Sequence, residues 1–534
     1  MKKSFAITIA IIFLCLFVNI NAQQVNTEWV INNFTGFPVG VMIGLDNNGN
    51  VFVTGHSGDF TKIITTKYDT DGNVIWERFY SIQDLGVAAT WLSVDPFGNV
   101  IVTGYPRTFS SNPVEVGLLT LKYDNNGNLL WDKLVSGTWA FAVRSVVDQS
   151  GNIYVTGRAW QYTATYDFVT VKYAPDGTQL WFDTFDQNGG FHTPTSMDLD
   201  QAGNLFITGG GMSGGLITVM YNNAGVRQWT KEESGTAGQS IRVDGNGGIF
   251  ITGSFYDFNT GTSNDIMLLK YDLSGNLVWQ KFYDFGNSEF GKLVNIDSQS
   301  NIVITGFGDL PGELPGWLTA KFDSSGNLLW YNRFKANQSW EEYPYFALTG
   351  PEDEIYVTGN VGEPSGGTTY NGLETIRYNS DGSNPWVADV NLYGGIGKGL
   401  ALGADLSLYA VGAYYYSVLK YSQSNPTEVV ENPSEIPEKF NLEQNYPNPF
   451  NPTTTIDFRI GDAEFVSLKV YNILGNEVAT LVNEEKPAGN YTATFSAKGG
   501  SASGGNAYSL SSGTYFYKLQ AGSFIETKKM ILLK

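Results

Sequence analysis

The sequence is poor in the residues that most often carry chemistry. Its 534 residues include one cysteine and two histidines, and 16% are charged, against about 25% in an average soluble domain. The cysteine, Cys15, lies in the N-terminal apolar segment, so the rest of the chain can form no disulfide, thiolate metal site or thiol nucleophile. Acidic residues outnumber basic ones and give a net charge of −20, which argues against nucleic acid or anionic lipid as a partner.

What the chain has in excess is glycine, with 62 residues, and aromatic residues, at 14%. This composition is typical of many short strands joined by tight turns. The N-terminal segment is different. Two lysines precede an apolar run from Phe5 to Val18, which predicts an export signal at 1–22, cleaved between Ala22 and Gln23. We predict no transmembrane segment in the mature chain, because no other apolar run is long enough.

A strand-like motif ending in Thr-Gly occurs seven times, and an eighth copy ends in Val-Gly. The first copy is Val51–Gly55, the last is Leu408–Gly412, and neighbouring glycines are 44 to 53 residues apart. A second motif follows the first copy and recurs after most of the others. It consists of Lys-Tyr-Asp, then Asp-Gly-Asn, then a tryptophan, which is Trp76 in the first unit. Each unit therefore predicts four short strands with tight Asp/Gly/Asn turns. Such repeats are typical of a β-propeller.

The second unit is predicted to have strands at Trp91–Asp95, Asn99–Gly104, Leu118–Asp124 and Asn128–Val135. Eight Thr-Gly-type strands precede only seven tryptophan strands, because the last unit stops near Tyr421 without its tryptophan. The missing strand is predicted at Glu28–Ile31, where it would complete the last blade and close the ring. This predicts eight blades; seven is the alternative if the unit at 397–421 is not a blade.

The run Asp-x-x-Gly-Asn, followed by a strand that ends in Thr-Gly, resembles the SBBP repeats of secreted bacterial β-propellers. The resemblance implies a scaffold and no particular activity.

Residues 423–440 read as a linker, and alternation in 441–534 predicts strands for a small antiparallel β-sandwich. The predicted strands are Thr454–Ile460, Phe465–Ile473, Val478–Leu481, Tyr491–Ser496, Gly513–Leu519 and Ile525–Leu533. The whole chain is thus predicted to be all-β, with an eight-bladed propeller at 23–422 (alternatively seven-bladed) followed by this sandwich.

Four separated motifs in the last ninety residues resemble the type A C-terminal sorting domain of the type IX secretion system: Asn445–Thr453, Val470–Gly475, Gly513–Tyr517 and Thr527–Lys534. The resemblance implies that 441–534 binds the secretion machinery, and that the protein is secreted or displayed on the outer surface of a Gram-negative bacterium. The residues of the sorting motif are Tyr446, Pro447, Asn448, Pro449, Phe450, Gly475, Lys528 and Lys529. A Gly/Ser-rich stretch at 498–510 departs from the pattern and reads as an insertion.

Three features of the sequence bear on its chemistry. Turns such as Asp69–Asn73 partly match a calcium loop but lack the downstream glutamate, so we expect no cofactor, with weak calcium binding as the alternative. His56 and His192 are expected in loops of different blades, exposed to solvent. The Tyr-Asp-x-x-Gly-Asn-x-x-Trp run is similar to the docking motif of eight-bladed quinoprotein dehydrogenases, although packing alone explains the tryptophan.

The function expected is therefore binding or scaffolding, without catalysis. The alternative is a secreted enzyme, either a polysaccharide hydrolase or lyase or a quinoprotein-like dehydrogenase. The ligand, an extracellular glycan or protein, is predicted on the face where the variable connections lie. Exposed aromatic residues there suit stacking. The candidates are Trp160, Tyr162, Tyr256, Trp340, Tyr343 and Tyr345, and Tyr416 is also expected to be exposed on that face.

Overall fold

The computed structural model is all-β. It describes residues 25–32, 39–110, 114–161, 165–186, 192–211, 215–234, 236–255, 264–310, 312–335, 342–361, 372–383, 386–390, 396–413, 416–423, 440–445, 448, 450, 453–460, 464–486, 489–496, 510–522 and 524–532. The predicted cleavage site at Ala22 and Gln23 and most of the predicted linker and insertion lie outside these residues. The chain divides into two compact units, with the boundary between Asn425 and Pro426.

The first unit consists of eight four-stranded antiparallel sheets, the blades of the predicted propeller. Blades one to four are β2–β5 (Val39–Leu45, Val51–His56, Ile63–Tyr68, Val74–Tyr80), β6–β9 (Leu85–Val94, Val100–Thr108, Gly117–Tyr123, Leu129–Ser136), β10–β13 (Thr138–Val147, Ile153–Gln161, Thr165–Tyr173, Gln179–Phe185) and β14–β17 (His192–Leu199, Leu205–Gly211, Gly215–Tyr221, Arg227–Ser234).

Blades five to seven follow the same chain order, and the eighth takes its outer strand from the N-terminus. They are β18–β21 (Thr236–Val243, Ile249–Phe255, Asp265–Tyr271, Leu277–Tyr283), β22–β25 (Ser288–Ile296, Ile302–Asp309, Gly316–Phe322, Leu328–Phe334), β26–β29 (Glu342–Thr349, Ile355–Val361, Gly372–Tyr378, Trp386–Val390) and β30–β32 (Gly397–Leu402, Leu408–Gly412, Ser417–Gln423) with β1 (Val25–Ile31).

The N-terminal strand closes the ring, as predicted. β1 pairs antiparallel with β32, in a register that runs from Val25 opposite Gln423 to Ile31 opposite Val418. Glu28 and Lys420 form an ion pair across the two strands at 2.7 Å. The prediction of eight blades is confirmed, and the seven-bladed alternative is wrong because the weak unit at 397–421 supplies three strands of a full sheet.

The repeated tryptophan joins most blades to the next through a turn glycine, with Trp386 of the seventh blade as the exception among the described contacts. The indole of Trp76 in the first blade donates a hydrogen bond to the carbonyl of Asn125 in the second, at 2.9 Å. Its ring lies over Gly127, where an added Cβ would be 2.7 Å from the ring; Gly127 has a φ of +82°. Only glycine satisfies both demands. Trp29 repeats the contact on Gly72 of the first blade, so the same joint closes the circle.

The core is spread around the ring. Every residue of the second strand of the first blade, Val51–His56, is buried, and the apolar side chains form small clusters shared by adjacent blades. The threonine of the Thr-Gly motif is buried as well, and Thr54 donates a hydrogen bond to the carbonyl of Ile64 on the next strand. The Thr-Gly motif is therefore a packing feature.

The second unit has the predicted strands, with ends shifted by a few residues. A three-stranded sheet combines β33 (Asn441–Leu442), β34 (Thr453–Ile460) and β37 (Gly489–Ser496). A four-stranded sheet combines β36 (Glu477–Lys486), β35 (Glu464–Asn472), β38 (Gly513–Ala521) and β39 (Phe524–Leu532). Both sheets contribute side chains to one apolar core.

Two local predictions in the propeller were wrong. The first strand of the second blade begins at Leu85 and not at Trp91, because the small residues Ala88 and Ala89 continue the ladder beyond a bulge. His56 and His192 are buried strand residues, not solvated loop residues. Burial, with a smaller effect of Arg107, lowers the pKa of His56 to about 4, so this histidine is neutral at physiological pH.

We expect that deleting residues 23–34 lowers the melting temperature by at least about 5 °C. The last blade would lose its outer strand, and the contact between Trp29 and Gly72 would be lost with it. Trp29→Ala alone is expected to cost about 2 kcal/mol, less than for a fully buried tryptophan because this ring is partly exposed. Thermal unfolding followed by circular dichroism measures both variants. An unchanged melting temperature in the deletion would contradict the role given to β1.

Candidate functional site

The innermost strand of each blade contains a β-bulge at the same position of the repeat. The first strands of successive blades contact one another around the ring, and each contains a bulge where a single residue has no partner on the second strand. The first strand of the third blade has a second register shift, between Thr138 and Phe141. Bulges re-aim side chains. The eight bulge residues are Val41, Thr90, Val143, Thr195, Gln239, Lys292, Tyr345 and Lys398.

A cavity of about 340 Å³ lies among these first strands. Its lining comes from seven of the eight blades and includes Arg144, Arg242 and Lys398, together with Trp91 and Tyr345. No aspartate or glutamate is among the described lining residues. In a chain with a net charge of −20, this central channel is therefore a local concentration of positive charge.

Two ammonium groups lie close to the ring of Tyr345, one from the lining residue Lys398 and one from Lys292, which precedes the lining residue Leu293. The ammonium groups of Lys292 and Lys398 lie 4.1 and 3.8 Å from the centre of the Tyr345 ring. Within the described part of the chain, neither lysine pairs with a carboxylate. Burial, and then repulsion from Lys398, lowers the pKa of Lys292 to about 8. Burial also lowers the pKa of Lys398.

Arg144 gives the channel a second cationic group. Its guanidinium lies 4.2 Å from the centre of the Trp91 ring, and its buried Nε has no hydrogen-bond partner. Burial, together with repulsion from Arg242, lowers its pKa to about 9, and Asp198 opposes the shift. An unpartnered N–H beside a like charge is unfavourable unless an acceptor occupies the cavity.

The predicted ligand residues are separated by the fold. Tyr345 lines the central channel. Trp160 lies in β11 and lines a cavity of about 630 Å³, largely apolar, between the second and third blades. Tyr343 packs edge-on against Phe307 at 4.8 Å. Tyr162, Tyr256 and Trp340 lie outside the described residues, so their predicted role stays a prediction.

The expectation that Tyr416 is exposed was wrong. It is 1% exposed, and its hydroxyl donates a hydrogen bond to the carbonyl of Val53 in the first blade at 2.7 Å. Burial is the main cause of a pKa well above the usual value for tyrosine. This ring holds the last blade to the first, and it is not available for a ligand.

Sequence reasoning missed Lys292, Lys398, Arg144 and Arg242, although a signal was present. Each bulge residue lies 14 residues before the glycine that ends the Thr-Gly or Val-Gly motif of its blade. Aligning the repeats on that glycine brings Lys292, Tyr345 and Lys398 into one column, at successive blades. The column shows that three neighbouring blades place two cations around one aromatic ring.

The Asp/Gly/Asn turns use their own carboxylates. Asp69 accepts hydrogen bonds from the backbone N–H groups of Asp71 and Asn73 and from the Asn73 amide, and the Asn73 bonds lower its pKa. In the turns between first and second strands, Asp46 is ion-paired to Lys67 at 2.9 Å. These contacts favour a structural role for the turns over the calcium alternative.

The described sorting-motif residues hold the last strand in place. The side-chain oxygen of Asn448 accepts a hydrogen bond from the backbone N–H of Ile531 at 2.9 Å. Phe450 is 1% exposed and its backbone N–H donates to the carbonyl of Ile531. Gly475 has a φ of +82° in the turn between β35 and β36. Lys528 is half-buried and Lys529 is exposed; Tyr446, Pro447 and Pro449 lie outside the described residues.

The structure is thus a closed β-propeller followed by a small β-sandwich whose motif residues fasten its last strand. Residues 444–533 match the family model of the secretion system C-terminal sorting domain. That match indicates export by the type IX secretion system and implies a secreted or cell-surface protein. It also implies interaction with the secretion machinery. Among the described residues there is no helix that could cross a membrane.

The propeller is similar to proteins of diverse origin. The chain is 24% identical over 395 residues to an uncharacterized WD repeat-containing protein of Acanthamoeba polyphaga mimivirus, a match that covers 56% of this chain and 28% of that protein. The chain thus spans less than a third of that relative's length.

Among solved structures, the Dos1 propeller matches with a TM-score of 0.50 and 9% identity, over 75% of this chain and 96% of that one. PorZ, a surface component of the type IX secretion system of Porphyromonas gingivalis, matches with a TM-score of 0.38 and 11% identity, over 92% and 74%. The Dos1 likeness concerns the fold alone, and the PorZ match is too distant to support an argument about function.

We expect Asn448→Ala to destabilise the sorting domain by about 1 kcal/mol, because the N–H of Ile531 loses its acceptor. The secreted fraction of a reporter fused to residues 423–534 is expected to fall with it. Lys529→Ala, at an exposed position of the same strand, serves as the control for stability. A reporter that leaves the cell equally well with and without Asn448 would contradict the structural role given to this motif.

Proposed function

We propose that this chain is an exported binding protein that takes an anionic group of its ligand into the central channel of the propeller. The observation that carries the proposal is that the ammonium groups of Lys292 and Lys398 both lie about 4 Å from the ring centre of Tyr345 and pair with no carboxylate of the described residues. The chemical class is a carboxylate, and we take an acidic glycan as the ligand because the protein is directed out of the cell.

Electrostatics supports an anion. Arg144, Arg242 and Lys398 line a cavity whose described lining has no acidic residue, and burial is the largest cause of the lowered pKa of Arg144, Lys292 and Lys398. Cations that are buried without counter-charges reduce the stability of the folded state. An anion in the channel would restore their favourable pairing, so binding energy is available to a negatively charged ligand and not to a neutral one of the same shape.

The size and position of the cavity also support ligand binding. A volume of about 340 Å³ is within the range of about 300–1,000 Å³ that small-molecule sites occupy. The apolar cavity beside Trp160 is separate, and it would contact only a longer ligand that extends outward from the channel. The resemblance of the repeats to SBBP propellers, a prediction from the sequence, agrees with a scaffold that presents such a site.

The enzyme alternative is less well supported. Glycoside hydrolysis requires two carboxyl groups about 5–10 Å apart across the scissile bond, and the described lining of the channel has none. For the quinoprotein alternative, the repeated tryptophan is already used in joining blades. Neither observation favours a reaction, and binding remains the function that we propose.

Replacing Lys292 and Lys398 together with Ala is expected to weaken binding of a uronate oligosaccharide at least tenfold, which corresponds to about 1.4 kcal/mol. Calorimetric titration measures the effect. The neutral, reduced oligosaccharide is the ligand control, and Trp160→Ala is the protein control for a short ligand. Equal affinity of the double variant and the wild type would contradict an anion site in the channel.

The affinity should also depend on pH. Lys292 has a lowered pKa of about 8, so it loses its charge as the pH rises from 7 to 9.5, and affinity for the anion should fall over that interval. For the same reason the ligand-free protein should gain stability as the pH rises from about 8 towards the ordinary lysine value, since the unfolded chain then binds more protons. Titrations at pH 7.0, 8.0 and 9.5 measure the first effect. In Lys292→Met, that pH dependence should be reduced.

A further inference from the structure

Three carboxyl groups meet at the junction of the fifth and sixth blades. They belong to Asp265 at the start of β20, Asp284 just after β21 and Glu289 near the start of β22, and each offers an oxygen within 4.8 Å of the others. All three elements begin or end on the face of the variable connections, away from the Asp/Gly/Asn turns. The backbone N–H of Glu289 donates to the carbonyl of Asn264 at 2.7 Å, which ties two of the elements together.

Glu289 is the unusual member of the cluster. Its side chain is 0% exposed, and neither carboxylate oxygen accepts a hydrogen bond of good geometry from the residues that the structure describes. Asp284, by contrast, is exposed and accepts a hydrogen bond from the backbone N–H of Gly286. A buried carboxyl group with so little hydrogen bonding is costly, and one oxygen of Glu289 lies within 4.8 Å of oxygens of two further carboxyl groups.

The surroundings do not neutralise the cluster. Burial, with smaller contributions from Asp284 and Asp265, raises the pKa of Glu289 to about 7. The backbone amide of Phe285 and the guanidinium of Arg333 oppose it. Arg333 forms no ion pair with a described carboxylate; its Nη2 donates to the carbonyl of Gly308, and its buried Nη1 has no partner.

The repeat supplies an internal comparison. At the equivalent positions two blades earlier, the chain has Asp167 at the start of the third strand and Asp186 after the fourth, but His192 in place of Glu289. His192 there lowers the pKa of Asp167, against burial and Asp186, which raise it. In the earlier blades, two aspartates are accompanied by His192, a residue that can carry positive charge. At the junction of the fifth and sixth blades, the residue in that position is Glu289, a third carboxyl group.

We propose that Asp265, Asp284 and Glu289 form a divalent cation site of the calcium class, which joins the fifth and sixth blades at the rim of the propeller. Carboxylate oxygens are the ligands that hard cations prefer, and calcium accepts several of them in irregular geometry from loops. Magnesium keeps most of its water and takes one or two carboxylates, so a trio with one fully buried member favours calcium. This site is distinct from the anion site of the central channel.

The test uses the mature chain, residues 23–534, stripped with chelator. Adding calcium chloride is expected to raise the melting temperature by at least about 2 °C, with half of the effect at about 10⁻⁴–10⁻³ M as in extracellular modules. Magnesium chloride at the same concentration is expected to give a smaller shift. Equilibrium dialysis with radioactive calcium is expected to show loss of one bound ion in Glu289→Gln.

Glu289→Gln is also expected to be at least as stable as the stripped wild type without calcium, because it removes a buried charge. Asp167→Asn, the matched change in the earlier set, should keep the full calcium response. The proposal is overturned if calcium leaves the wild type unchanged, or if Glu289→Gln responds like the wild type, which would assign the ion to another part of the chain. It is equally overturned if stripped wild type binds no calcium and Glu289 merely carries a proton.

Discussion

The fold depends on one repeated joint, a tryptophan ring seated on a glycine of the next blade. A propeller has no continuous sheet around its circumference, so each blade must be fixed to its neighbour by side chains. The indole of Trp76 contacts Gly127 and donates to the carbonyl of Asn125. Because a Cβ at that glycine would collide with the ring, the joint links two sequence motifs of consecutive units.

Closure also determines where the chain is free to vary. The strands and Asp/Gly/Asn turns are occupied by core packing and by hydrogen bonds within the turns. The bulge residue of each first strand makes no pair with the second strand, and the ends of strands on the variable face lie outside the joints. Lys292, Tyr345 and Lys398 occupy the first kind of position, and Asp265 and Glu289 the second. Lys292, Lys398, Asp265 and Glu289 thus lie where strand pairing and blade contacts make little demand on the side chain.

Much of the fold could be predicted from the sequence, because the architecture repeats a local pattern eight times. In each unit, the Thr-Gly motif locates the second strand, the turn glycine locates a hairpin and the tryptophan locates the outer strand. Because the eighth unit lacks a tryptophan strand, the sequence pointed to Trp29 at the N-terminus. The site was predicted less well. Tyr345 lines the channel, but Tyr416, chosen for the same reason, is buried in the contact between the last and first blades. Aromatic residues serve both purposes in a propeller, and only packing distinguishes them.

The cations of the channel were harder to find because their meaning is collective. A single lysine in a strand is usually a solvated residue, and neither Lys292 nor Lys398 stands out in its own unit. They form a site only because the propeller places the sixth, seventh and eighth blades side by side, so that both lysines meet Tyr345. The net charge of −20 also makes the lysines hard to recognise, because a charge summed over the whole chain does not show a local excess of positive charge. In a closed repeat protein, a binding site can therefore be found by aligning the repeat units and comparing the residues at one position in neighbouring blades.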